Sequence, residues 1–184
     1  MCGFAGFLTS DASALGSPEA IATQMAKAIE HRGPDDSGAW ADAQTGIALG
    51  FRRLSIIDLS PAGHQPMASS GGRFVIAFNG EIYNHLEMRT ELQVAGAAPA
   101  WRGHSDTETL LAGFEHWGVE AMLKRTVGMF AIALWDVQTR MLHLARDLGD
   151  EGADRDREFE FAVTYDRALA TAAAQSMVGR LARG

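Results

Sequence analysis

The sequence predicts an α+β fold, and three observations carry that prediction. The legible elements run strand, helix, strands, helix, hairpin over 184 residues, an order that suits an α+β sandwich more than a doubly wound sheet. The run Phe74 to Phe78 is apolar at every position, as in a strand covered on both faces. Hydrophobic residues make up 47% of the chain and charged residues 21%, which is enough for one well-buried domain at this length.

The elements follow in order. MCGFAGFLT is an apolar run with two glycines and predicts a buried first strand. In the helix after it, Ser17 suits the N-cap and Pro18 the first position, while Ile21, Met25 and Ile29 recur at helical spacing on one apolar face. Gly33-Pro34 should stop that helix, and HRGPDDSG reads as a loop by composition. GIALGFRRLSIID and RFVIAFN are strand-like. Ser105 and Glu108 stand in the capping-box relation ahead of Leu110, Leu111, Phe114 and Trp117, which share one helix face. GMFAIALWD and MLHLARD flank VQTR as a β-hairpin.

After Asp147 the charges crowd together in LGDEGADRDREFEF with little periodicity. FEFAV, at residues 159–163, has the pattern of one short strand, and the remainder suits an Ala-rich helix. The domain is therefore read as residues 1–147. Residues 148–184 form a tail, partly disordered or helical, with 148–158 exposed.

Composition excludes several function classes. A net charge of -7 with scattered basic residues argues against nucleic acid and anionic membrane as partners. No apolar stretch approaches the ~20 residues of a membrane helix, and MCGFAGFLTS lacks the basic start of a secretory signal. The single cysteine permits neither an internal disulfide nor a multi-Cys zinc site, so the expected compartment is the cytoplasm. The histidines form no HExxH or i, i+4 pair, and no metal is assigned.

Four places carry candidate chemistry, each with a plainer alternative. Cys2 follows the initiator Met. Removal of that Met gives a thiol beside a free α-amine, which titrates at about pH 7 to 8 in model peptides and can serve as a local base. Gly3 then leaves room for a substrate. The alternative is a small buried apolar side chain. Arg53 offers a planar fork for a carboxylate, or is a surface residue at a strand start. Asn79-Gly80 is a hairpin turn, or an amide and an N–H converging on an oxyanion, with Glu81 as a further acceptor. Asp106 complements a helix dipole, or accepts from a substrate ammonium.

Taken together, MCGFAGF, HRGPDDSG, RRLSIID, AGHQPM, FNGEIYNH, GHSDTE, GMFAIALWD and LARD resemble, in order, the class II glutamine amidotransferases of the N-terminal-nucleophile hydrolase superfamily. RLSIID, the following HQPM and NGEIYNH narrow the resemblance to the asparagine synthetase branch. It implies a four-layer α/β/β/α sandwich and a glutamine-hydrolysing activity in which Cys2 forms a glutamyl thioester. It also implies an oxyanion hole at Asn79 and Gly80, and Arg53 on the α-carboxylate. Glu81 and Asp106 would stand near the α-amino group, and the backbone from Leu54 to Ile57 would line the pocket. HRGPD would support the site without a chemical role.

No cofactor is implied for glutamine hydrolysis. ATP and magnesium belong to a synthetase domain, and no SGGxDS-type ATP loop occurs in this chain. The segment after LARD departs from the RFGIKPLYY type, which leaves the sandwich incomplete at its C-terminal end. The expected partners are glutamine and a separate synthetase chain that takes the ammonia, with exposed strand edges favouring a homo-oligomer. The alternative is a catalytically silent remnant or partner-binding module.

Overall fold

A computed structural model describes residues 2–10, 16–55, 61–147 and 159–162. The apolar start forms β1 (Gly3–Leu8), and α1 (Pro18–Ala28) begins after Ser17, whose Oγ accepts from the Ala20 amide at 3.3 Å. Then come β2 (Asp36–Asp42), β3 (Ile47–Arg53), β4 (Met67–Ala68) and β5 (Phe74–Ile82). Next are α2 (His85–Val94), α3 (Asp106–Trp117) and α4 (Val119–Arg125). β6 (Gly128–Asp136), β7 (Met141–Asp147) and β8 (Phe159–Ala162) close the order. The strands form two antiparallel sheets, β1-β3-β2 and β4-β5-β6-β7-β8.

The alternation of β5 separates two cores. Phe74, Ile76 and Phe78 pack with Leu110, Leu111 and Phe114 of α3, and with Met88 and Met122. Val75 and Ala77 pack with Ala133 and Trp135 of β6 and with Ile47, Leu49 and Phe51 of β3. A strand apolar at every position thus feeds both clusters, as its pattern predicts. The helix face of Leu110, Leu111, Phe114 and Trp117 is likewise turned to the core.

The spacing of Ile21, Met25 and Ile29 predicts that face of α1 as the buried one; the structure instead buries Pro18, Ala22 and Ala26 and leaves the three larger residues half-buried. The cause is close approach to β3. A Cβ at Gly50 would collide with the Ala22 carbonyl oxygen and lie 3.1 Å from the Ala26 Cβ. Only small side chains fit where helix and strand backbones come so near.

Other departures have equally local causes. The loop-like DSG of HRGPDDSG opens β2, an edge strand with no buried side chain to give it a pattern. Asn79-Gly80 is no turn: β5 runs through it, Asn79 opposite Ala131 and Gly80 opposite Phe130. A Cβ on Gly80 would collide with the Met129 carbonyl oxygen and meet the Phe130 Cα at 2.7 Å. This glycine serves close strand packing rather than a hairpin. At α3, Ser105 Oγ accepts from the Glu108 amide at 3.3 Å, and the Glu108 carboxylate reaches back to the amides of Arg102 (2.9 Å) and Gly103 (3.2 Å). No helix among the described residues is long and apolar enough to cross a membrane.

Candidate active site

A cavity of about 520 Å³ is lined by Cys2, Arg53 and Leu54 from one sheet, by Asn79, Gly80 and Glu81 of β5, and by Asp106 at the head of α3. Ile57 lies outside the described residues.

Cys2 directly precedes β1, whose pairing places Gly3 opposite Arg52. The Leu54 N–H donates to its sulfur at 3.3 Å, and the Leu54 carbonyl accepts from the thiol at 3.6 Å. Its own carbonyl accepts from Arg32 Nε at 3.1 Å. The sequence assigns the space beside Gly3 to a substrate, but the Arg32 side chain fills it: a Cβ there would stand 2.9 Å from Arg32 Cδ. The same HRGPD segment supports the strand end opposite, where Asp35 Oδ2 accepts from the Ser55 amide at 2.8 Å.

Arg52 and Arg53 are neighbours with opposite fates, because successive side chains of a strand point to opposite faces. Arg52 Nε donates to the Gly33 carbonyl at 2.8 Å, and Arg52 Nη2 pairs with Glu30 at 3.1 Å. Arg53, also buried, turns to the cavity and packs on Gly63, where any Cβ would collide with the guanidinium.

The edge of β5 shows how the fold leaves one donor without a partner among the described residues. Tyr83 N–H bonds the Val127 carbonyl just beyond β6, so odd-numbered amides face β6 and even-numbered ones face the β4 side. On that side Phe74 N–H bonds Ser69 Oγ (3.0 Å), and β4 itself covers Val75 and Ile76. Beyond β4 side chains take over: Phe78 N–H donates to Gln65 Oε1 at 2.6 Å and Ile82 N–H to Asp106 Oδ2 at 3.0 Å. Gly80 N–H lies between them, at the cavity. The Asn79 and Glu81 side chains share the face of Val75 and Ala77, the face against which Cys2 also packs.

Asp106 is buried, and besides the Ile82 amide it accepts from the Thr107 amide at 2.8 Å. Burial pushes its carboxyl above the usual carboxylate range, although the two amides and nearby His85 pull the other way. Gln65, Gly63, Thr107, Phe130, Arg146 and Asp147 also line the cavity. The sequence marks several of these only as parts of AGHQPM, GHSDTE and LARD, and residue type gives no sign that they meet.

Fold and family together define a glutamine amidotransferase domain. A solved structure of similar fold, glutamine phosphoribosylpyrophosphate amidotransferase from B. subtilis, aligns over 79% of this chain and 36% of its own, with a TM-score of 0.59 and 17% identity. Residues 1–152 match the glutamine amidotransferase domain, and the chain belongs to that family. A putative glutamine-hydrolysing asparagine synthetase of Mycobacterium tuberculosis (strain ATCC 25618 / H37Rv) is 48% identical over 160 residues, covering 80% of this chain and 24% of the relative. Glutamine-hydrolysing asparagine synthetase 1 of Bacillus subtilis (strain 168) is 43% identical over 148 residues, 80% of this chain and 22% of the relative. The chain thus spans about a quarter of the length of these curated relatives.

Proposed function

We propose that this domain hydrolyses the side-chain amide of glutamine to glutamate and ammonia, with Cys2 as the nucleophile. The observation that carries the reading is convergence: one cavity gathers the cysteine, a strand-edge amide beside Asn79 that has no partner among the described residues, a buried arginine and a buried aspartate. A silent binding module has no need of that set. The charges suit a zwitterion, with Arg53 on the α-carboxylate and Asp106 and Glu81 on the α-ammonium. Leu54 flanks the substrate.

In a chain beginning at Cys2, the free amine takes the thiol proton as sulfur bonds the amide carbon. The oxygen becomes an oxyanion held by the Asn79 side chain and Gly80 N–H. The amine passes its proton to the nitrogen, the C–N bond breaks and ammonia leaves. Water then adds to the thioester, the C–S bond breaks, and glutamate and the thiol are released. No cofactor takes part; ATP and magnesium belong with a separate synthetase domain or chain that accepts the ammonia in the cytoplasm. We assign the fold to the four-layer α/β/β/α sandwich, a reading supported by α1 against β1–β3 and by separate cores on the two faces of β5.

Glutamate release from the purified chain tests the function. Cys2→Ala should abolish it, and Cys2→Ser should retain little, since an alkoxide is much harder to generate than a thiolate. Arg53→Ala should chiefly raise KM, because its contact exists before and during reaction. Asn79→Ala should chiefly lower kcat, by about 100-fold or more. Full activity in protein whose intact mass retains Met1 would overturn the amine mechanism.

A further inference from the structure

Gln65 is buried, and its two polar ends bridge elements that carry the proposed machinery. Oε1 accepts from the Phe78 amide at 2.6 Å, and Nε2 donates to Thr107 Oγ1 at 3.3 Å. Phe78 immediately precedes Asn79, and Thr107 immediately follows Asp106. The partners fix the orientation of the carboxamide, because a backbone N–H can only donate. The chain enters β4 through Pro66, and backbone pairing with β5 begins only at Met67, opposite Ile76. The Gln65 side chain therefore stands in for a strand residue. A buried glutamine keeps its place only if its polar atoms are bonded.

We propose that Gln65 is a positioning residue for glutamine hydrolysis, locking the β5 edge at Phe78 to the head of α3 at Thr107. The inference rests on the function proposed above. Its chemical content is a fixed separation. Asp106 closes the same β5 edge at Ile82, so the Gly80 donor is held between two side-chain bridges, and both lead to the head of α3. Loss of the Gln65 bridge frees one side of the oxyanion segment while leaving the Cys2 sulfur on Leu54 untouched.

Three variants test this: Gln65→Met, which keeps length but bonds neither partner, Thr107→Val, which cuts only the α3 end, and their combination. Steady-state glutamate release is measured per alkylatable Cys2, the chain's one cysteine. Gln65→Met should lower kcat by about 10- to 100-fold, the scale of an ångström-sized misplacement. Its Cys2 should still react with iodoacetamide at a rate within about two-fold of wild type, since that reagent needs neither Asn79 nor Gly80. Thr107→Val should lose less, mainly in KM. The double variant should be no worse in kcat than Gln65→Met, as for two cuts in one network.

Wild-type kcat and KM in Gln65→Met, even with lowered Tm, would overturn the proposal and leave Gln65 a structural residue. If Gln65→Met does not fold, unchanged kcat and KM in Thr107→Val would do the same. No glutamate release from wild-type protein with a reactive Cys2 would instead overturn the glutaminase reading itself.

Discussion

At Asp106, both carboxylate oxygens already hold backbone amides, those of Ile82 and Thr107, and the group is raised above the ordinary carboxylate range chiefly by burial. The sign of the consequence follows. The folded carboxyl holds its proton up to a higher pH than the unfolded one. Its contribution to stability is therefore fully present below the unfolded pKa and is lost as pH rises through the folded value. Activity runs the other way, because a protonated Asp106 cannot attract an ammonium. The kcat/KM for glutamine should fall on the acid side at a higher pH than an ordinary carboxylate would give, and Asp106→Asn should raise KM and flatten that limb. A pH–rate profile whose acid limb is unchanged in Asp106→Asn would remove this residue from substrate binding.

Among the elements, α1 shows most clearly where packing overrides pattern. Its seat on β3 admits Ala22 and Ala26 because Gly50 lets the backbones approach. Ala26→Leu should force the helix off the sheet and destabilise the fold by about 1–3 kcal/mol, as overpacking does, seen as a lower denaturant midpoint. Sequence spacing alone points to Ile21, Met25 and Ile29, since periodicity registers size and polarity but not the distance to the neighbouring element. Where a signal is local it reads correctly: the Ser17 and Ser105 caps and the two-faced apolar run of β5 all appear as the chain dictates. Asn79-Gly80 misleads by residue type, because the pair favours a turn while β6 packs too closely on Gly80 for any side chain. Of the candidate site, what was legible in the sequence is its membership: Cys2, Arg53, Asn79, Gly80, Glu81 and Asp106, singled out by their motifs, all line one cavity. The Gln65 bridge was not, because its meaning lies in partners distant in sequence.

Across the whole molecule, the cavity draws its walls from both sheets, and its far side depends on the end of β7. Arg146 and Asp147 line it there, and both pair with β8, opposite Glu160 and Phe159. The family match ends at residue 152, before β8. A chain cut after that residue should leave β7 as an open edge, with a lower Tm and concentration-dependent association. Sedimentation of the two forms compares them directly, and equal Tm with a monomeric short form would show β8 to be dispensable. The row of amides along β5 has a metric consequence as well. Same-side positions on a strand recur every two residues, about 7 Å apart, so Gly80 N–H and the Ile82 amide that holds Asp106 form the two marks of a ruler. A substrate must place its reacting carbonyl at one mark and its ammonium near the other. Asparagine, shorter by one methylene, can reach either but not both, and its kcat/KM should be about 10- to 200-fold lower than that of glutamine. In the proposed mechanism, the register of β5 would thus set the length of substrate accepted, through the Gly80 amide at one mark and the Asp106 carboxylate seated on the Ile82 amide at the other.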